Sequence, residues 1–209
     1  MDAGTQIIVL SGLRGGAGTT SLAAMLSDSL CQLEQTVLAI DLNPSDLLRL
    51  HFNIDYGAVN GWAYSTYKEQ PWAEHIYKIA SGLWVLPYGY QGLRLQNNAP
   101  PTSELAEQFW RGEAGEGLIQ HGKNKLDWII IDAPICCDNF LNYLAPNRYQ
   151  HFLVAPADIA AHILLGQQTL AHNRKIVINQ RDPTNQLSES IVLDWMLRYE
   201  AQILPIHFP

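Results

Sequence analysis

The stretch Ile7-Ile8-Val9-Leu10-Ser11-Gly12-Leu13-Arg14-Gly15-Gly16-Ala17-Gly18-Thr19-Thr20 decides the fold. Its first four residues form an apolar run without alternation, the pattern of a strand covered on both faces. After Ser11-Gly12, glycines at 15, 16 and 18 break the periodicity. A helical period then takes over in Ser21–Leu33, with Leu22, Met25, Leu26, Leu30 and Leu33 on one face. A strand that hands over through glycines to a helix N-terminus is the local context of a phosphate site. Successive backbone N–H groups share a concavity there, and the first helical turn adds unpaired donors. The other reading of the glycines alone is a strand-to-helix turn with no ligand.

Working outward, the same alternation continues. Val37–Ile40, Leu83–Leu86, Trp128–Ile131, Phe152–Ala155 and Lys175–Ile178 read as further buried strands, and Ile159–Leu170 and Leu187–Tyr199 as helices. Tyr88–Pro101, rich in Gly, Asn, Gln and Pro, reads as a loop, and Arg111–Gly117 interrupts a helix. The fold class is α/β, a mostly parallel sheet with helices on both faces. At 209 residues and 47 % hydrophobic, the chain is expected to form one nucleotide-binding domain over 1–209.

The composition excludes several classes. A net charge of −7, without a Lys/Arg cluster, disfavours direct contact with nucleic acid or anionic lipid. Cys31, Cys136 and Cys137 are odd in number, with no C-x-x-C and no Cys/His ligand spacing, so neither a disulfide framework nor zinc is expected and a reducing cytoplasm suits them. Cys136-Cys137, with no partner histidine nearby in sequence, read as small buried residues at a helix start. The N-terminus lacks a basic n-region, and no apolar stretch reaches about 18 residues, which points to a soluble protein that is not exported. Trp62, Tyr64, Tyr67, Trp72 and Tyr77 form an aromatic excursion that reads as local packing rather than a partner surface.

Within the loop, Gly18 and Thr20 match G-x-x-x-x-G-K-[ST], while Leu13 stands at the first glycine and Thr19 at the lysine. Arg14, Gly15, Gly16, Ala17, Gly18, Thr19, Thr20 and Ser21 are the candidate nucleotide-binding residues. Arg14 is the only cation among them and offers a planar fork to phosphate oxygens; its alternative is a solvated surface arginine. Thr20 is placed to present its hydroxyl to Mg²⁺. Asp132, which closes Trp128-Ile129-Ile130-Ile131, is the carboxylate expected near that ion, the alternative being a turn aspartate before Ala133-Pro134. Asp41 ends the second strand in the same way and opens Asp41-Leu42-Asn43-Pro44-Ser45-Asp46, a candidate switch region and catalytic edge.

R-G-G-A-G-T-T, D-L-N-P and I-I-I-D-A-P, in this order over nearly the whole chain, resemble the MinD/ParA family of deviant Walker A ATPases. The odd R-G-G-x-G-T-T loop, with Asn43–Asp55 and Gly61-Trp62-Ala63, is closer to the BcsQ branch, MinD-like proteins of bacterial cellulose synthase operons. The resemblance implies a P-loop NTPase fold binding ATP and Mg²⁺, and a nucleotide-dependent homodimer in which Arg14, at the place of the family's first loop lysine, reaches across the dimer. It implies cellulose synthase subunits as partners and a cytoplasmic protein recruited through them to the inner-membrane face. Asn179 falls where the family sets an asparagine against the adenine; a turn cap before Gln180-Arg181-Asp182-Pro183 is its alternative. Asn43 stands where hydrolytic members carry a water-positioning aspartate. Together with Thr19 for lysine, this implies tight nucleotide retention and slow hydrolysis. The other functional reading is a partition- or placement-type ATPase cycling on DNA or membrane. Family members continue past the segment equivalent to Leu204-Pro205 with a base-contacting loop and final helices, elements that the 209 residues do not include.

Overall fold

The structure, a computed structural model, describes residues 4–96, 98–112, 115, 117–118, 125–135, 137–142, 144 and 149–207. Among the described residues, eight strands form one sheet: β1 Gln6–Gly12, β2 Val37–Asp41, β3 Tyr77–Ala80, β4 Leu83–Leu86, β5 Trp128–Ala133, β6 Tyr149–Pro156, β7 Arg174–Asn179 and β8 Ile203–His207. Their order is β3-β4-β2-β5-β1-β6-β7-β8, and every pair is parallel except the antiparallel β3–β4 hairpin. The apolar strand runs are explained by cover on both faces. On one face Ile8 and Leu10 of β1 pack with Leu22, Ala23 and Ala24 of the helix Thr19–Gln32 (α1). On the other, Ile7 and Val9 pack with Trp62, Leu105 and Phe109.

All six expected strands are present, and two more were not anticipated. β3 alternates half-buried and exposed residues and carries Lys78, while β8 contains Pro205, so neither has the apolar run of a central strand. Both lie at a sheet edge, where such residues are tolerated, and both show a register irregularity. The segment read as a loop, Tyr88–Pro101, holds a short helix, Tyr90–Arg94. The helix expected to reach Leu170 stops at Gly166. Leu170 nevertheless packs on the core from beyond the helix, which is why its spacing looked helical. The helix Thr102–Arg111 ends at Gly112, within the expected interruption, of which Glu113, Ala114 and Glu116 lie outside the described residues.

The aromatic excursion is local packing: Tyr64, Tyr67, Trp72 and Tyr77 are half-buried against the core, and Trp62 is inside it. Trp62 is fully buried, meets Tyr88 edge-on at 5.2 Å between ring centroids, and donates its indole N–H to the Asp41 carbonyl at 2.7 Å. Gly61 explains how Trp62 gets there: a Cβ at this position would lie 2.2 Å from the Gly89 nitrogen, so only glycine lets the two chain segments touch.

The segment between Asp41 and Gly61 is held by a buried ion pair. Arg49 and Asp46 meet at 3.0 Å with both side chains completely inaccessible. The Arg49 guanidinium also donates to the carbonyls of Asp55, Ala58 and Asn60, and the Asp46 carboxylate accepts from the backbone N–H groups of Tyr88, Gly89 and Tyr90. One aspartate thus places the turn that starts the Tyr90–Arg94 helix, a contact 42 residues away for Tyr88. Replacing Arg49 with Met strands a buried carboxylate and three carbonyls, and should cost about 3–5 kcal/mol in denaturant unfolding. Asp46→Asn should then cost less in that background than alone, whereas strictly additive losses would show that the two residues act independently.

Candidate nucleotide site at the carboxyl edge

β1 delivers Gly12 into a tight space: a Cβ there would lie 2.8 Å from Thr19 Oγ1 and 2.9 Å from the Arg14 carbonyl. The close-approach glycine of this loop is therefore Gly12, and Leu13 has a different task. Its side chain is buried with Leu153 and Ala155, and its N–H donates to the Val154 carbonyl at 2.9 Å. Gly16 and Gly18 have φ of 73° and 81°, a left-handed backbone that glycine adopts freely. Ala17 between them is buried.

The end of β7 grips this loop from outside. The Asn179 amide donates to the Ala17 carbonyl at 2.7 Å, and the Gln180 amide to the Gly16 carbonyl at 2.9 Å. Because a trans peptide points its C=O and N–H in opposite directions, both contacts turn the N–H groups of Ala17 and Gly18 to the other side. Asn179, expected against a base, thus spends an amide hydrogen on the loop. α1 starts at Thr19 with Gly18 as N-cap and no side-chain cap, so the first-turn donors face no competing acceptor from the cap. Thr19 and Thr20 are half-buried there, and Ser21 is exposed.

Arg14 does not project freely. One terminal nitrogen is ion-paired with Asp158, the other donates to the Gly15 carbonyl at 2.8 Å, and Nε is buried without a hydrogen-bond partner. Asp158 also caps the helix Ile159–Gly166 by accepting from Ala161 N–H. Burial pushes its carboxyl upward, but the Arg14 and Ala161 hydrogen bonds outweigh that and hold it below the ordinary aspartate range. Asp158 and Gln180 were not singled out from sequence. Asp158 had a legible cue, an acid after a buried strand and just before an apolar helix, whereas Gln180 had none.

Three strand-end carboxyl and amide groups line the adjacent edge. Asp41 and Asp132 are register partners on β2 and β5, and both are fully or nearly fully buried. The Asp41 carboxylate accepts from the N–H groups of Asn43 at 2.8 Å and Leu48 at 3.0 Å. Burial and then the neighbouring Asp132 push its pKa well above normal, against the lowering by those hydrogen bonds. Asn43 turns its amide oxygen to Ser45, accepting from the backbone N–H at 3.2 Å and the hydroxyl at 3.0 Å. This is the geometry of a self-capped turn.

Asp132 is different. Both its oxygens are buried and neither has a hydrogen-bond partner. Thr20 stands close enough to lower its pKa, but burial dominates and raises it to about 7. A carboxylate stripped of water and given no donor is costly unless a cation or proton compensates it. Thr20 and Asp132, joined in the sequence reading only by motif, are brought together here.

Cys137 is buried and not isolated from histidine: His151 Nε2 lies 3.9 Å from its sulfur, a proximity that sequence distance concealed. Cys136 lies outside the described residues. Among the described residues, no cluster of three or more His, Cys, Asp or Glu side chains could hold a metal alone, and no helix is long and apolar enough to cross a membrane.

Comparison with known proteins identifies the family and the fold. Residues 5–208 match the family model described as cellulose biosynthesis protein BcsQ. The BcsQ protein of Salmonella typhimurium is 33 % identical over 200 residues, covering 96 % of this chain and 78 % of the relative. Cobyrinic acid a,c-diamide synthase from Mycobacterium smegmatis, solved with an ATP analogue and magnesium, superposes with a TM-score of 0.72 at 19 % identity over 98 % of this chain and 87 % of that one. The Aquifex aeolicus MinC:MinD complex gives 0.69 at 19 % identity over 96 % and 81 %. These two likenesses establish the fold, a mostly parallel P-loop sheet of the MinD/ParA type. With the family match running almost end to end, the chain belongs to the BcsQ family of cellulose biosynthesis proteins.

Proposed function

We propose that this protein binds ATP with Mg²⁺ in the loop Arg14–Ser21 and serves as a MinD-like regulatory subunit of a bacterial cellulose synthase or secretion complex, with slow or absent hydrolysis. The observation that carries the nucleotide part is the orphaned carboxylate of Asp132 beside Thr20, under a loop whose amides are turned inward by Asn179 and Gln180. Thr20 and Asp132 fit a magnesium ion, which supplies charge neutralisation for phosphate oxygens when bound. Gly15, Gly16, Ala17, Gly18 and Thr19 would enclose the phosphates through backbone N–H groups. Arg14, once released from Asp158, is the cation that would meet a phosphate of its own or a second subunit. The relatives carry the link to cellulose biosynthesis; the complex-assembly role and the cytoplasmic, nucleotide-dependent homodimer recruited to the membrane through partners rest on the resemblance read from the sequence.

Slow turnover has a separate basis. Thr19 places no cation at the phosphates. Asn43 cannot take a proton as a carboxylate would, and its oxygen is engaged by Ser45. The carboxylate of Asp41, two residues before Asn43, is itself engaged by the N–H groups of Asn43 and Leu48. A cycling ATPase on DNA, the competing role, is disfavoured by the net charge of −7.

Three outcomes are expected. Mg-ATP should raise the thermal midpoint of the wild type, and Gly16→Val, which forces a branched side chain onto a left-handed backbone, should abolish the rise; equal shifts in both proteins rule the loop out. For Asp132 the sign follows from its pKa. The native group at about 7 holds a proton that the unfolded group, at 3.8, has lost, so its contribution to stability is complete at low pH and is lost as pH rises toward 7. Asp132→Asn should therefore raise the midpoint at pH 8 without ligand, flatten the decline between pH 5 and 8, and erase the Mg²⁺-dependent part of the ATP shift; a variant less stable than wild type at pH 8 counts against a buried, uncompensated charge. Finally, Asn43→Asp combined with Thr19→Lys should release phosphate from ATP on the order of 100-fold faster than wild type, and each change alone should do less. A wild type that already turns over as fast as the double variant contradicts the slow-hydrolysis reading.

A further inference from the structure

The helices Ile159–Gly166 and Gln186–Tyr199 share one core, to which Ala161 and Leu165 of the first and Ile191, Val192 and Trp195 of the second contribute. Where they meet, His162 stands against two side chains of the second helix. Trp195 is buried, and its indole Nε1 lies 3.2 Å from His162 Nδ1. An indole N–H can only donate, so Nδ1 is the acceptor and the neutral ring carries its hydrogen on Nε2. The same Nδ1 lies 3.8 Å from Asp194 Oδ2. That oxygen is buried without a hydrogen-bond partner, whereas Oδ1 accepts from Arg198 Nε at 2.8 Å.

One nitrogen therefore faces a donor that it satisfies and an acceptor that it leaves empty. In the neutral ring, Nδ1 has no hydrogen to give Asp194. A ring protonated there has one, and has lost the lone pair that Trp195 uses. The two hydrogen bonds exclude each other, and a single proton chooses between them.

We infer that His162 is a proton-operated clasp between these helices: unprotonated it holds Trp195, and protonated it releases the indole and binds Asp194. The proton comes from solvent, which reaches the ring because the His162 side chain is 35 % exposed, and it forms one N–H bond at Nδ1. Closing onto Asp194 asks for about 1 Å, since a charge-assisted N–H···O contact is about 2.8 Å long. The protonated state gains a partner for a buried carboxylate oxygen and leaves a buried indole N–H without an acceptor. These two effects are of similar size, so the charge of one histidine can decide between them. Histidine is the side chain whose charge changes between about pH 5 and 8.

At this level the second helix presents Asp194, Arg198 on its other oxygen, and Tyr199, whose hydroxyl donates to the Leu165 carbonyl. On its own helix His162 donates its backbone N–H to the carbonyl of Asp158, and the strands beneath present Leu153, Ala155, Ile176 and Ile178. Asp158 is the ion-pair partner of Arg14, so the helix on which the clasp acts also restrains the loop cation. The inference does not require that the loop bind nucleotide.

The test is a pH titration of the full chain, labelled with ¹⁵N, read at the indole N–H signals of its six tryptophans. Between pH 8 and 5 the sequentially assigned Trp195 signal should move upfield by more than any other indole signal, as it loses its acceptor. In His162→Asn, whose side-chain oxygen accepts but takes up no proton, it should stay fixed. In Asp194→Asn the step should move to lower pH by about one unit, because the charge that favours the imidazolium is gone. The other indole signals report that each variant keeps the fold. The wild-type titration needs no substitution, and a Trp195 signal unmoved between pH 8 and 5 overturns the inference. So does a step that persists in His162→Asn, or one that Asp194→Asn leaves at the same pH.

Discussion

Backbone N–H groups at the carboxyl edge of a covered parallel sheet are out of reach of water, and each needs an acceptor from the protein. Here a few buried carboxylates supply those acceptors: Asp41 takes the donors of the turn after β2, and Asp46 takes those of the turn after β4. The segment after β2 hangs from these contacts. The segment from Asp41 to Gly61 is pulled onto the Tyr88–Tyr90 turn, Trp62 is carried into the core, and Asp132, beside Asp41 on β5, takes none of these backbone donors and has only the Thr20 hydroxyl near it. Its isolation is meaningful because its neighbours are so fully satisfied.

The same contacts bear on the candidate switch region after β2. A segment that reorders on binding is drawn from the weakly held parts of a fold. Asp46–Arg49 is a completely buried pair whose two side chains hold six backbone groups besides each other, so this stretch is among the firmly held parts. The less constrained elements are elsewhere: the exposed Gly15 and Gly16, and Arg14 on a half-exposed partner.

Sequence reading recovered what depends on local pattern. The six apolar strands and the glycine loop with the helix after it lie within runs whose periodicity or motif is visible over a dozen residues, and Thr20 and Asp132 each stand at the end of such a run. What it missed depends on distance. The Tyr90–Arg94 helix needs Asp46, the loop grip needs Gln180, and the hydrogen-bonded chain Arg174–His151–Ser11 joins three strands. No residue in these groups is unusual where it stands. Leu13 is instructive in the opposite direction, since it looked like a missing glycine when the chain had moved that role to Gly12 and used the freed position as an anchor. Edge strands β3 and β8 escaped notice because half-exposed strands lack the run that marks central ones.

Those two edges have a consequence for how copies of this protein meet. An unpaired strand edge is an invitation to add another chain, and both edges here decline it: β3 through Lys78 and an irregular register, β8 through Pro205, which has no N–H to offer, and a second irregularity. Growth of the sheet from molecule to molecule is therefore selected against at either side. Contact between copies is left to the faces and loops, where it can be made and undone.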